Sequence, residues 1–566
     1  MSRRLHNFLL FIIRCRIHVG RRPACVSAPA IIFFPLLPDR LNCGLAGLMT
    51  CRSTEPSPAS AAGATLVDLW QKVKSAGLKA VGAPGSQAAD YAGSQDSLDA
   101  LTAAILSLKA EEAQKDLFFQ AGRAETLAAL ADEMAAFLAD EEKNLEVQAA
   151  ILSSTDLETI HSRLIQLKDN HWMLERDILS NLKKIASLGG VKTPAELMPA
   201  AFGKYRKLNL LLNALDRLEV RGRDSAGIAL AFVLGSEEAL REIEQHISAA
   251  ALADDFRRRT QTGDLRDTSI SLSRRAGKIH IAFTYKTYSI VGELGRNVAA
   301  LRRAIENDAL LKLFAGADTA AEIALTHTRW ASVGSITEEN CHPVNNHTCA
   351  SLPAADGEKP QISVVLNGDI DNYAALRQAL ESGRDLIAPT VTTDTKIIPL
   401  QIEKYLEGGR TLAEAFRLAV NDFEGSHAIA MHSSLEPGKM FLALRGSGQS
   451  LYVGVAPDQY LFSSELYGLV EVMPRFIKMN GEAQNGSAAG QIFILDSQRG
   501  GLGGIDAFSY DGKKIALADE AVQTAEITTR DIDRGGFPHF FLKEISEAAL
   551  SVRRTLRGKY RIAADG

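Results

Sequence analysis

"DRLNCGLAGLM", residues 39–49, decides how the rest of the chain is read. Cys-Gly followed by small apolar residues reads like the start of a mature enzyme, with a strand running away from its first residue. A thiol is a strong nucleophile, and a free α-amine with a pKa near ~8 can serve as its base within the same residue. Yet Cys43 stands behind 42 residues, and Asn42, not an initiator Met, precedes it. It is either an ordinary cysteine or a nucleophile whose amino group must first be freed.

Residues 1–42 differ in character from the rest of the chain. "MSRRLHNFLLFIIRCRIHVGRR" is Arg-rich and lacks acidic residues, and "APAIIFFPLLP" is apolar and broken by Pro. The apolar run 8–13 is shorter than a usual signal-peptide core and is interrupted by Arg14 and Arg16. No run approaches the ~20 apolar residues of a membrane helix. A removable propeptide, or an upstream stretch translated only on paper, is favoured over a targeting peptide.

The full length of 566 residues allows several domains, each with its own core. A hydrophobic fraction of 46% and a charged fraction of 23% are those of a soluble globular protein. A net charge of -5 suggests neither nucleic acid nor a polyanionic partner. The cysteines at 15, 25, 43, 51, 341 and 349 are too few and scattered for a disulfide framework, which points to a reducing, cytoplasmic setting.

Residues 52–63 have the Ser/Pro/Ala composition of a linker, and the chain then reads as helical to about 205. Leu157, Ile160, Leu164, Leu167, Leu174, Ile178 and Ile185 line one helix face. Thr155 with Glu158 forms a capping box at its start, and Gly189-Gly190 ends it. Thr193, Pro194 and Glu196 predict another helix start. After 206 the texture is mixed. "GIALAFVLG", "KIHIAFTY", "ISVVLNG", "HAIAMHS", "MFLALRG", "YLFSSE" and "QIFILD" are strand-like, and "TLAEAFRLAVNDF" is a helix between them.

Four stretches carry chemistry. "EVRGRDSAGIALA" (219–231) has small residues that let backbone approach a ligand or another strand. "LTHTRWASVGSITEENCHPV" (325–344) delivers Arg329 beside Trp330, then a glycine loop and His342. Arg suits a two-point grip on a carboxylate, although a buried Arg satisfying carbonyls is an equal reading of this stretch alone. "ISVVLNGDIDNY" (362–373) runs into Asn367-Gly368, an amide and a backbone N–H able to aim two donors at one oxyanion. "TVTTDTKII" (390–398) offers Asp394 to hold an ammonium or to cap a helix. Together they describe a site for an α-amino acid, with Cys43 as the missing nucleophile. A zinc site in "CHPVNNHTC" (Cys341, His342, His347, Cys349) is the weaker reading, because its spacing is unlike the usual ligand pairs.

At this point the chain resembles the glutaminase half of glutamine–fructose-6-phosphate aminotransferase (isomerizing), also called glucosamine-6-phosphate synthase. The motifs, in order, are "CGLAG" (43–47), "RGRDSAGIA" (221–229), "HTRWAS" (327–332), "NCHP" (340–343), "LNGDIDNY" (366–373), "TDTKII" (393–398), "RGSGQSLYVGV" (445–455) and "YLFSSE" (460–465). The resemblance implies an α/β N-terminal-nucleophile hydrolase fold, an αββα sandwich carrying a large α-helical insertion. It implies Cys43 as nucleophile on L-glutamine, Asn367 and Gly368 as oxyanion hole, Arg329 and Asp394 as ligands of the substrate carboxylate and amino group. Trp330 would gate ammonia, and His342 would lie near the glutamine pocket. No metal or organic cofactor, nucleic acid or membrane is implied. Fructose 6-phosphate would be met only through an isomerase domain missing here, in a homodimeric full-length enzyme.

The expected division is an N-terminal extension or propeptide at 1–42, the first strand with the nucleophile at 43–51, and a mostly helical insertion at 52–205. The remainder of the amidotransferase domain follows at 206–530, then a linker and the start of a sugar-isomerase domain at 531–566. A second insertion is expected near 236–270. The alternatives are another class II amidotransferase, such as an amidophosphoribosyltransferase-like enzyme, or a catalytically dead scaffold whose helical insertion binds a partner.

Overall fold

A computed structural model describes residues 43–51, 65–81, 88–148, 152–261, 263, 265–275, 277–289, 293–348, 360–382, 386–482 and 489–556. The N-terminal extension, the 52–63 linker, Cys349 and the end of the chain lie outside these residues.

Two antiparallel sheets form the centre. One has nine strands, in the order Gln523–Thr524, Arg475–Lys478, Tyr452–Val455, Gln459–Ser463, Gly44–Thr50, Thr319–Arg329, Ser225–Leu234, Lys278–Tyr288 and Ile270–Arg275. The other has seven, in the order Lys514–Ile515, Ile505–Ser509, Gln491–Asp496, Lys439–Arg445, His427–Ser433, Ile362–Gly368 and Val344–Asn345. The strand after Cys43 lies inside the first sheet, with Gly44 opposite Thr328 and Ala46 opposite Ser463.

Side-chain alternation along this strand builds two cores at once. Leu45 and Met49 enter the core between the sheets, with Leu325, Val365, Ala430, Leu442 and Phe493. Ala46 and Leu48 face the opposite way, into helices. Each large side chain buried in this way contributes about 1.5–3 kcal/mol. Gly44 is required by close packing, since a Cβ there would sit 2.8 Å from Leu218 Cβ. The second sheet is covered on its outer face by the helices Ile397–Glu407 and Leu412–Asp422. The layers are thus helix, sheet, sheet, helix, as the resemblance implied.

The strand-like runs read from the sequence are strands, and Thr411 caps Leu412–Asp422 through its side chain. The short strands Ile270–Arg275, Tyr452–Val455, Arg475–Lys478 and Ile505–Ser509 are too brief or too polar to stand out as apolar runs.

The long apolar helix face is present as Ser154–Trp172 and Ser180–Leu188, joined by a π-helical turn, Met173–Leu179. Its cap is a correction: Ser153, not Thr155, accepts the Asp156 N–H. Thr193–Pro194 opens only a single 3₁₀ turn, and the long helix starts at Pro199 and runs to Leu218, across position 205. Residues 236–270 hold the helices Glu237–Ala249 and Ala253–Thr260. The helices before 199 do not form a separate core. Trp70, Leu101, Leu138, Ile160 and Ile185 belong to the same apolar cluster as Leu211, Ile228, Phe232 and Phe283. Among the described residues no helix is long and apolar enough to cross a membrane.

Candidate active site

Cys43 shares the parity of Leu45 and Met49, so its side chain is directed to the side of the second sheet. There it meets the end of the neighbouring strand. The Trp330 N–H donates to Cys43 Sγ at 3.3 Å, and the thiol lies 3.4 Å from the Trp330 carbonyl. Burial pushes the Cys43 thiol up to about 12; the Trp330 N–H and the Arg329 charge pull it back, while Asp394 and Asp369 push it further. The sulfur is therefore protonated at neutral pH, and attack requires a proton acceptor.

The second sheet supplies Asn367 and Gly368. Asn367 Nδ2 donates to the Cys43 carbonyl at 2.8 Å, while its buried Oδ1 has no well-formed hydrogen bond among the described residues. Gly368 has φ +93°, and a Cβ there would fall 2.2 Å from the Ser426 carbonyl oxygen, so no other residue fits. Asp394 lies at the start of the short turn Asp394–Lys396, just before Ile397–Glu407. Its Oδ2 accepts the Ile370 N–H at 2.9 Å. Burial raises this carboxyl to about 6, with the Asp369 charge adding and Arg329 opposing.

Arg329 is buried, and its guanidinium donates to the carbonyls of Val333 and Ser335, the latter at 3.0 Å. Arg329 is thus seen satisfying carbonyls and organising a loop, while its charge acts on Cys43 and Asp394. The loop is fixed from beneath by Asn340, which sequence reading passed over within "NCHP". Asn340 Nδ2 donates to Ser335 Oγ and to the Thr390 carbonyl, both at 3.0 Å. Its Oδ1 accepts the N–H groups of Thr392 and Thr393, both at 2.8 Å. One buried amide thus ties the Arg329 loop to the Asp394 loop.

The "RGRDSAG" turn serves backbone approach, and the partner is a strand. At Gly222 a Cβ would lie 2.6 Å from the Trp330 nitrogen, and at Gly227 it would lie 2.0 Å from the His342 carbonyl oxygen. Asp224 Oδ2 accepts the Ala331 N–H at 2.9 Å, so this turn holds residues 329–331 against Cys43.

His342 lies in a buried chain of contacts that links Leu366 to Thr395, the neighbour of Asp394. His327 Nε2 lies 2.7 Å from the Leu366 carbonyl and 3.2 Å from His342 Nδ1, and His342 Nε2 lies 2.9 Å from Thr395 Oγ1. A carbonyl can only accept, which assigns the His327 proton to Nε2. Burial drives His327 down to about 3 and His342 well below its usual range, so both rings are neutral. Trp330 engages Cys43 through its backbone. In the zinc reading, Cys341 Sγ instead faces the Thr337 carbonyl at 3.3 Å and His342 faces Thr395. Among the described residues no three His, Cys, Asp or Glu side chains are arranged to hold a metal.

Residues 347–471 match the family described as glutamine amidotransferase domain. The chain is 34% identical over 251 residues to a glutamine–fructose-6-phosphate aminotransferase (isomerizing) of Methanothermobacter thermautotrophicus, covering 44% of this chain and 37% of that protein. The protein of the same name from Clostridium tetani is 30% identical over 43% of this chain and 35% of its own length. For Geobacillus kaustophilus the figures are 25% identity, 62% and 42%. A solved glutamine phosphoribosylpyrophosphate amidotransferase from B. subtilis aligns over 54% of this chain and 47% of that one, at 16% identity and a TM-score of 0.33. The chain thus spans less than half the length of these curated relatives. It carries a glutamine amidotransferase domain similar to that of the glutamine–fructose-6-phosphate aminotransferases.

Proposed function

We propose that this chain is the glutamine-hydrolysing portion of a glucosamine-6-phosphate-forming amidotransferase. Cleavage between Asn42 and Cys43 frees the α-amine, which takes the thiol proton as Sγ attacks the glutamine carboxamide carbon. The developing oxyanion is received by Asn367 Nδ2 and the Gly368 N–H. As the intermediate collapses, the amine returns the proton to the departing nitrogen, which leaves as ammonia. Water then hydrolyses the thioester to glutamate. Arg329 holds the substrate carboxylate, Asp394 its ammonium, and Trp330 gates the ammonia. The ammonia is passed to fructose 6-phosphate on a sugar-isomerase domain, in a cytoplasmic homodimer.

The observation that carries this reading is the convergence on Cys43 Sγ. Trp330 bonds it, Asn367 bonds its residue, and the charges of Arg329 and Asp394 act on its thiol. N-terminal sequencing of the purified protein, together with glutamine turnover by wild type and Cys43→Ala, tests it. A mature chain starting at Cys43, and turnover lost in the variant, is the expected result. Turnover unaffected by Cys43→Ala overturns the mechanism. No turnover by a correctly matured chain favours the scaffold. Stimulation of turnover by a phosphoribosyl acceptor, and not by fructose 6-phosphate, favours the other amidotransferase class.

A further inference from the structure

A second polar cavity, of about 250 Å³, opens between the helices of 154–218 and the segment 529–540. Its wall sets Trp172 and Phe540 among cations, including Arg176 and Lys184, and four carboxylates, two of them Asp216 and Asp533. None of these residues takes part in the site around Cys43.

Two of the carboxylates are consumed. Asp177 accepts Lys109 at 2.7 Å and the Thr529 hydroxyl at 2.9 Å. Glu471 accepts Arg217 at 2.7 Å together with the Asn181 and Asn213 amides at 2.7 and 2.8 Å. Of the cations, Arg217 is paired with Glu471 and Arg176 stands 3.8 Å from Glu175, but Lys184 is less well matched. Lys184 Nζ donates to Asn213 Oδ1 at 3.1 Å, and Arg302, standing behind it, donates to that same oxygen at 2.7 Å. Two cations therefore share one neutral amide oxygen, where a carboxylate or another anion is the natural partner. Burial, together with the like charges of Arg302 and Arg217, lowers the Lys184 ammonium against the opposing pull of Glu471 and Asp216. Arg176 lies across the Trp172 ring, 5.5 Å from its centroid, and brings a third positive group to the rim.

We propose that this cavity binds a small phosphorylated, hydroxyl-rich molecule, with its phosphate on Lys184 and Arg176. Lys184 supplies an ammonium with N–H groups beyond the one given to Asn213, and Arg176 a guanidinium at the same mouth. Asp216 and Asp533 repel the phosphate and accept hydroxyl protons, which orients the ligand. Trp172 and Phe540 flank its carbon skeleton. A cavity of about 250 Å³ lies at the small end of ligand sites, which suits a monophosphate and excludes a dinucleotide. Binding here is independent of the chemistry of Cys43.

The test is isothermal titration of the full chain at fixed ionic strength with inorganic phosphate, ribose 5-phosphate and glucose 6-phosphate. A sugar phosphate should bind more tightly than inorganic phosphate, and Lys184→Gln should weaken it at least tenfold. Lys183→Gln, one residue away and outside the cavity wall, should leave the affinity unchanged, and circular dichroism checks that each variant is folded. No heat with any probe overturns the proposal, as does equal affinity in wild type and Lys184→Gln. Inorganic phosphate binding as tightly as both sugar phosphates overturns the hydroxyl-rich part of the assignment.

Discussion

Two polar clusters in this molecule are built from the same side-chain chemistry and are arranged in opposite ways. Around Glu471, both carboxylate oxygens are filled by Arg217, Asn181 and Asn213. Burial would raise that carboxyl, but Arg217 and the Asn181 amide hold it below the usual range. Around Cys43, by contrast, the buried Asn367 Oδ1 and His327 Nδ1 have no well-formed hydrogen bond among the described residues. The thiol is pushed up by burial, and burial raises the Asp394 carboxyl to about 6. A structural network fills its lone pairs from within, whereas the cleft proposed to react leaves its thiol and a carboxyl under electrostatic stress. Stability should therefore depend on the first cluster and turnover on the second.

The sharpest break is at Cys43. Cys43→Ala should abolish glutamine hydrolysis, a loss on the order of 10⁴–10⁶-fold or about 5–8 kcal/mol, with the urea unfolding midpoint unmoved. Glu471→Ala should do the reverse. It strands a partly buried Arg217 and should lower the unfolding free energy by roughly 3–4 kcal/mol in urea titration, leaving kcat per folded molecule unchanged. Asn367→Ala should lower kcat by about 10²–10³-fold, about 3 kcal/mol, if its amide stabilises an oxyanion.

The pH dependence of KM gives the smallest effect. Asp394 binds an ammonium only when ionised, and its carboxyl titrates at about 6. KM for glutamine should be flat above that value and rise roughly tenfold for each pH unit below it. A KM that stays flat down to pH 5 would remove Asp394 from substrate binding.

Much of this arrangement was legible in the sequence, because strands buried on both faces stand out as continuous apolar runs. Gly44–Thr50 is such a case, but a run apolar on both faces does not say which side Cys43 projects to, and only the fold assigns Leu45 and Met49 to one core and Ala46 and Leu48 to the other. The glycine-bearing turns were visible too, though not what they approach. Gly227 makes room for the carbonyl of His342, which lies far along the chain. Asn340, Asp224 and His327 were missed because they act by tying loops and strands together. Their partners at Thr392, Ala331 and Leu366 are known only once the chain is folded. The cap at Ser153 was misplaced by two residues because Ser153, Ser154 and Thr155 all have capping chemistry, and backbone geometry chose among them.

The apolar cluster that runs without a break from Trp70 and Leu101 to Phe232 and Phe283 bears on how the protein comes apart. Helices that share one interior with a sheet cannot be excised like a bead from a string. Removing 66–188 would strip the outer side of the helix Pro199–Leu218, where Phe118 meets Phe202 with ring centroids 5.2 Å apart, and leave a sandwich prone to aggregate. Calorimetry of the intact chain should accordingly show the helices and the sandwich melting together in a single endotherm.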